Sequence, residues 1–432
     1  MRTAIIVGAG HRGLGYAQYT DYRPERLRIA GVADPDPERR EFVARKYGLK
    51  PEMCFASAAE LATRGKLADC VINGTMDADH VETTLPLLSA GYDVLLEKPF
   101  ALNLAELERL DAAVRRTGRQ VMICHVLRYA PFYAAIKRKL LEGAVGRITH
   151  IQSAEHVSYH HYTSCYVRGK WRSQRQCGAS MLLAKCCHDI DLLTWYQSGV
   201  APVSVSSTGG CTFFRSENAP AGSGRHCLLD CPIEAQCDYS ARRLHLNHPL
   251  RWHTYIWPEL EYVDGIDTPE NREKALRDPR NPYAQCVWKI ADYDQVDQQA
   301  VTVRFADGAV ATHAMVTNTP RALRKVHIIG TEGEIMGCFE DSAFSLYHRD
   351  LRPDCEFTVE RIDTGNQGDT AGVFGGHGGG DLRLMEDFID LLDGQPTSIS
   401  RTMLSDSING HKLVFLADEA MQSNRVIPFS AQ

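Results

Sequence analysis

Nowhere does this sequence hold the roughly 18 consecutive apolar residues that a membrane-spanning helix needs, which sets helical membrane proteins aside. A basic excess is also missing: 48 Lys and Arg stand against 54 Asp and Glu, a net charge of −6, so the electrostatic footprint of a nucleic-acid binder is not there. The amino end lacks a secretory pattern. Met1-Arg2-Thr3 leads straight into a short apolar run and a glycine turn, and a cytoplasmic location is the expectation. Internal repeats and low-complexity tracts are absent, which removes solenoid architectures. What remains is ordinary globular composition, 44% hydrophobic and 24% charged over 432 residues, a length that favours two domains.

Cysteine, by contrast, is not scarce. Fourteen of them in a reducing compartment read as free thiols or metal ligands rather than disulfides. Most are scattered (Cys54, Cys70, Cys124, Cys338, Cys355) and suit the role of small buried hydrophobes. Cys227, Cys231 and Cys237 are closer together, in a region with glycine and proline, and could converge on one structural Zn2+ with a fourth ligand from Cys211, Cys286, His226 or His245. Chance clustering and an iron–sulfur cluster stay open beside zinc.

The first part of the chain alternates strand-like and helix-like segments. Strands are expected at Thr3–Val7, Leu27–Val32, Asp69–Asn73, Asp93–Leu96 and Val121–Cys124, with helices between them, one starting at Asn103 and Glu106 in a capping-box variant. Regular alternation implies a doubly wound parallel sheet over residues 1–125. Beyond that the texture changes. Gln152 to Tyr162 alternates as a strand does, and further strands are expected at Val203–Thr208, Ala300–Phe305, Ala309–Val316, Lys325–Gly330 and Glu334–Cys338. Helices at Met181–Gln197, Leu382–Leu392 and Ser405–Ser423 interleave, and Ser216–Gly224 and Gly365–Gly380 read as loops. Residues 126–432 therefore read as an α+β domain on a largely antiparallel, open-faced sheet.

Gly8, Gly10 and Gly13 form G-x-G-x-x-G between a strand and a helix, the context in which the turn cradles a pyrophosphate. Asp34 lies 21 residues after Gly13 at the end of the second strand, where a carboxylate would accept bonds from the adenosine ribose. Its charge favours NAD over NADP, although Arg39 and Arg40 just downstream leave NADP open.

The order of motifs resembles the Gfo/Idh/MocA family of oxidoreductases. Gly74-Thr75 after the expected strand Asp69–Asn73 and Glu97-Lys98-Pro99 after Asp93–Leu96 are similar to its nucleotide domain. Cys187-His188-Asp189-Ile190-Asp191 is similar to its G-x-H-x-x-D segment, and Gly330-Thr331-Glu332-Gly333 to its G-T-x-G turn. The resemblance implies hydride transfer between a nicotinamide and a hydroxyl carbon of a sugar, sugar derivative or cyclitol. It also implies Lys98 and His188 as the proton-handling groups, and cofactor contacts from Gly8, Gly10, His11, Arg12, Gly13, Asp34, Thr75, Glu97 and Lys98. Many members carry an aspartate four residues before the histidine; here that position is Ala184, in a K-x-C-H-D variant that brings in Lys185 as a further catalytic candidate. Substrate-side candidates are Arg128, Tyr129, His156, Tyr159, Tyr166, Arg168, Trp171, Arg172 and Asp191, the arginines suggesting an anionic sugar. A dimer or tetramer is implied for the open sheet. Two other readings stay open: an NAD-dependent glycoside-cleaving enzyme working by transient oxidation, and a non-enzymatic dinucleotide-binding regulator.

Overall fold

The computed structural model describes residues 1–249, 256, 265–365 and 377–430. Six short strands make the first sheet: β1 (Arg2–Val7), β2 (Leu27–Ala33), β3 (Cys54–Phe55), β4 (Cys70–Asn73), β5 (Asp93–Leu96) and β6 (Val121–Ile123). All neighbours are parallel, in the order β3-β2-β1-β4-β5-β6. The winding direction reverses between β1 and β4, and ligands of such sheets bind in the crevice at the carboxyl ends there. Helices on both faces explain why these strands are continuous apolar runs: Ala4 to Val7, Cys70 to Asn73 and Val94 to Leu96 are each at most 1% exposed. Asn103 caps its helix as expected, accepting from the Glu106 amide at 2.9 Å, and Ser57 does the same for Glu60 at 3.1 Å.

Nine strands make the second sheet: β7 (Ile148–Ser158), β8 (Pro202–Gly210), β9 (Gln298–Phe305), β10 (Val310–Thr319), β11 (Leu323–Gly330), β12 (Gly333–Cys338), β13 (Ala343–Arg349), β14 (Phe357–Asp363) and β15 (Ile427–Pro428). Their order is β14-β13-β12-β11-β7-β10-β9-β8-β15, antiparallel throughout except for the central β7–β10 pair. In β9, Val301, Val303 and Phe305 point into a core shared with the helices Pro131–Leu141, Cys187–Tyr196 and Leu404–Ser423, while Ala300, Thr302 and Arg304 face outward. The α/β plus α+β architecture is the expected one.

Several local expectations change. The alternation that began at Gln152 stops at Ser158, and Tyr159–Tyr162 turns helical, so Tyr159 and His161 leave the strand face. The helix expected over Met181–Gln197 is two helices, Met181–Ala184 and Cys187–Tyr196, broken at Lys185-Cys186. The expected loop at Gly365–Gly380 falls mostly outside the described residues. Finally, the helix Gly380–Leu392 returns to the first sheet, where Leu384, Met385, Phe388 and Ile389 share a core with Ile6, Tyr16, Ile72 and Leu95.

Candidate active site at the carboxyl ends of the first sheet

The glycine turn follows β1. Gly8 has φ +80°, and a Cβ there would sit 2.6 Å from the amide nitrogen of Thr75. A Cβ on Gly13 would meet the carbonyl oxygen of Gly8 at 2.2 Å, and one on Gly74 the Gly13 nitrogen at 2.8 Å. Three backbone segments thus touch where side chains have been removed, leaving a narrow turn. That turn fits a dinucleotide pyrophosphate. Asp34 directly follows β2 and is 4% exposed, its carboxylate accepting from the Ala9 amide at 2.7 Å and the Asp36 amide at 2.9 Å. Each of its oxygens retains a lone pair for a ribose hydroxyl. Arg40 bonds the Asp34 carbonyl at 2.5 Å. Thr75 is held by Asn73, and His80 ties the loop after β4 to the loop after β5, reaching the Pro99 carbonyl at 2.7 Å and the Thr75 carbonyl at 3.1 Å.

Arg12 and Glu97 are turned toward each other rather than outward. Arg12 Nε donates to Glu97 at 2.5 Å and its Nη2 to Asp381 at 2.6 Å, with Tyr16 joining the network. Burial would raise the Glu97 carboxyl, but the charges of Arg12 and Lys98 hold it below its ordinary value. Asp381 opens the returning helix, so this network locks that helix onto the glycine turn. His11, beside it, is pushed down to about 4 by burial and by the neighbouring charges of Arg12 and Lys170.

Lys98 follows Glu97 at the end of β5, and its peptide bond to Pro99 is cis. Its ammonium donates to the carbonyl of Ala184 at 2.9 Å. That carbonyl is available because the helix breaks just after it, and position 184 is where family members that carry an aspartate place it. Four residues on, His188 is 6% exposed, with its Nδ1 3.5 Å from Nδ1 of His125. His125, which follows β6, was not singled out from the sequence; its place at a strand's carboxyl end was the available signal. Burial pushes it down to about 4, with Asp191 pulling the other way from 3.8 Å.

Other candidates are held by the fold. Arg128 and Asp191 are 2% and 1% exposed and joined by two bonds of 2.7 and 2.6 Å, with the guanidinium over the Trp195 ring. Tyr129 donates to Asp387 at 2.8 Å, and Arg172 binds Asp292 at 3.0 Å. Arg168, fully buried, bonds the carbonyls of Gln285 and Tyr239. Most of these polar atoms are engaged within the fold, although Arg168 Nη1 has no partner among the described residues and Asp191 also stands 3.8 Å from His125. Tyr166 is buried and stacks on Tyr162, while Tyr159 packs edge-on against Tyr239. Trp171 reaches across instead: its Nε1 donates to Asp77 of the loop after β4 at 2.8 Å. His156 is half-buried on β7.

Lys185 stands 3.3 Å from Glu155, which also pairs with Arg324 at 2.6 Å; Arg324 in turn lies 3.2 Å from Asp189. Burial raises Asp189, Arg324 opposing, whereas Arg324 and Lys185 overcome burial to lower Glu155. Cys186, Asp189 and His313 bring ligand-type atoms within 4.8 Å of one another. The charges of Arg324 and Lys185 in the same space oppose a cation there. Neither Glu155 nor Arg324 carried a sequence signal.

Comparison with known proteins gives the same reading. Residues 2–125 match the model of the oxidoreductase family with NAD-binding Rossmann fold, and residues 133–243 match the GFO/IDH/MocA C-terminal domain. The chain is 26% identical over 371 residues to the oxidoreductase YteT of Bacillus subtilis, covering 83% of this chain and 81% of that one. It is 30% identical over 155 residues to the myo-inositol dehydrogenase Hyg17 of Streptomyces leeuwenhoekii, 36% of this chain and 46% of that protein. The fold is shared with the WlbA dehydrogenase of Bordetella pertussis, solved with NADH and UDP-GlcNAcA, at a TM-score of 0.64 and 15% identity over 100% of this chain and 99% of that one. No helix among the described residues is long and apolar enough to cross a membrane. The glycine turn, the Lys98 segment and the two matched domains together make this chain a member of the Gfo/Idh/MocA family of NAD(P)-dependent oxidoreductases.

Proposed function

We propose that the protein transfers a hydride between NAD and a hydroxyl carbon of a sugar, sugar derivative or cyclitol, with Lys98 and His188 acting on the reacting alcohol. The observation that carries this reading is the 2.9 Å bond from Lys98 to the Ala184 carbonyl, which ties the end of β5 to the turn from which the His188 helix starts. Gly8, Gly10, Gly13, Asp34 and Thr75 would hold the dinucleotide, and the Asp34 charge disfavours a 2′-phosphate. When bound, the nicotinamide accepts or supplies the hydride.

The chain's own groups handle the proton. An ammonium has three donors. With one given to Ala184, Lys98 keeps two for the substrate oxygen. His125, depressed to about 4, is neutral at pH 7. With its proton on Nε2, facing Asp191, its Nδ1 accepts from His188 Nδ1–H. His188 Nε2 is then the lone pair that takes the hydroxyl proton. Lys185, held by Glu155 at 3.3 Å, is the further catalytic candidate, three residues before His188. His156, Tyr159 and Trp171 are the substrate-side residues, with Trp171 closing onto the cofactor loop through Asp77. The named activity of Hyg17 supports a cyclitol or sugar alcohol as substrate class. The outward face of the second sheet is the proposed oligomer contact, which light scattering of the purified protein tests.

The experiment is a panel of aldoses, uronates, cyclitols and glycosides followed by NADH absorbance, with Lys98→Met and His188→Asn beside wild type. Each variant is expected to lose about 100- to 10,000-fold in kcat while binding NADH as wild type does. Unchanged kcat in either variant sinks the assignment.

A further inference from the structure

Between β8 and β9 the chain makes a long excursion, residues 211–297. Its described residues include no strand, one α-helix of two turns, Pro269–Leu276, a five-residue π-helix, Arg243–Asn247, and short isolated turns. The outer part has a small apolar cluster of its own, Cys227, Leu228, Ala241, Ile256, Leu276 and Tyr283. The rest of the excursion packs on the main core through Phe214, Val287, Trp288 and Ile290, so the outer part is where a disulfide or metal would add most stability. All fourteen cysteines are free thiols.

Four of these thiols, Cys227, Cys231, Cys237 and Cys286, line one cavity. Two lie diagonally across the antiparallel bridge between His226 and Gln285: the Cys227 amide donates to the Ala284 carbonyl and the Cys286 amide to the Arg225 carbonyl, each at 2.8 Å. The other two flank the turn Glu234–Gln236. The fourth member is Cys286, one of four candidates the sequence left open.

Arg168 lines the same cavity and is 0% exposed. It donates to the carbonyls of Gln285 at 2.8 Å and Tyr239 at 2.7 Å and to the Cys227 sulfur at 3.4 Å, and its Nη1 has no partner among the described residues. A guanidinium cannot shed its proton, so burying it demands a nearby negative charge. Carbonyls and a neutral thiol do not supply one. Glu234, a carboxylate on the cavity wall, accepts from Ser240 and stands 3.9 Å from Arg242. Thiolates would supply the charge, and a bound metal deprotonates its thiols outright.

We propose that Cys227, Cys231, Cys237 and Cys286 hold a metal–thiolate centre that staples the excursion between β8 and β9, with Arg168 balancing its negative charge. Among the described residues no three of these sulfurs lie within 4.8 Å of one another. Zinc bonds of about 2.3 Å in a tetrahedron would put them about 3.8 Å apart. The thiols therefore draw together on a single zinc ion or surround the inorganic core of an iron–sulfur cluster, and the metal assay separates the two. The centre is structural and has no part in hydride transfer.

Full-length protein, purified once in air and once without oxygen, is assayed for metals and acid-labile sulfide. About four irons with matching sulfide and broad visible absorption, or about one zinc, per chain supports the centre and identifies it. Cys231→Ser and Cys286→Ser are expected to lose the metal, whereas Cys355→Ser, at an exposed thiol elsewhere, keeps it. Wild-type protein without stoichiometric metal from both preparations overturns the proposal, and it needs no variant to fold. Full metal retention in both Cys231→Ser and Cys286→Ser overturns it as well.

Discussion

Asp191→Asn keeps the side-chain volume and removes one charge from a buried pair. Arg128 and Asp191 are 2% and 1% exposed and share bonds of 2.7 and 2.6 Å. In the variant the guanidinium stays ionised and buried but faces an amide. Its remaining bonds, to the carbonyls of Arg401 at 3.5 Å and Asp406 at 3.4 Å, are too long to replace the lost charge. Breaking a buried pair from one side costs about 3–5 kcal/mol. The urea midpoint of Asp191→Asn should fall by that amount times the inverse of the m-value, with m itself unchanged. A double variant, Arg128→Met with Asp191→Leu, should recover most of the loss, because removing both charges ends the desolvation cost. The site should respond as well, since Asp191 is what pulls the His125 proton affinity up from 3.8 Å away. The contrary result would be a variant as stable as wild type with a selective rise in KM. Asp191 would then be a substrate contact, and the buried-strut reasoning would be wrong.

Gly13→Ala places a methyl 2.2 Å from the Gly8 carbonyl, backbone against backbone, and should cost about 1–3 kcal/mol and most NADH binding; fluorescence titration of NADH checks this. Burial depresses His125 and His313 to about 4 and His411 to about 3. The unfolded chain binds these protons near 6.5, so their stability is complete above about pH 6.5 and is lost as pH falls toward about 4, by about 3 kcal/mol each. Asp418, raised to about 6 by burial, has the opposite sign and offsets part of this. Melting temperatures should therefore drop steeply between about pH 6.5 and 4.5, and a flat profile would contradict the burial argument. Trp171→Phe deletes the 2.8 Å bond to Asp77 and should raise KM several-fold with kcat nearly unchanged, read by steady-state kinetics.

The doubly wound sheet was legible because every strand in it but the two-residue β3 is an apolar run bounded by a helix cap or a glycine. The second sheet was legible in β9 to β12, where hydrophobic alternation and the Asp307-Gly308 turn mark a hairpin. It was not in β14, whose residues are mostly exposed and carry no alternation to read. The break at Lys185-Cys186 has no glycine or proline to announce it, and only the tertiary bond from Lys98 gives it a purpose. Long-range charge matching escaped the sequence altogether. Arg12 finds Asp381, and Arg324 finds Glu155 and Asp189, across separations that no local pattern encodes. Arg128 and Arg172, read as substrate ligands, find Asp191 and Asp292 in the same way.

The central claim is that Lys98 and His188 act on one alcohol beside a bound nicotinamide. Single-turnover reduction of NAD by the best cyclitol or sugar of the panel, in wild type, Lys98→Met and His188→Asn at equal cofactor occupancy, tests it most directly. NADH should form in wild type and be slowed at least about 100-fold in both variants. Reduction at the wild-type rate in either variant would contradict the account.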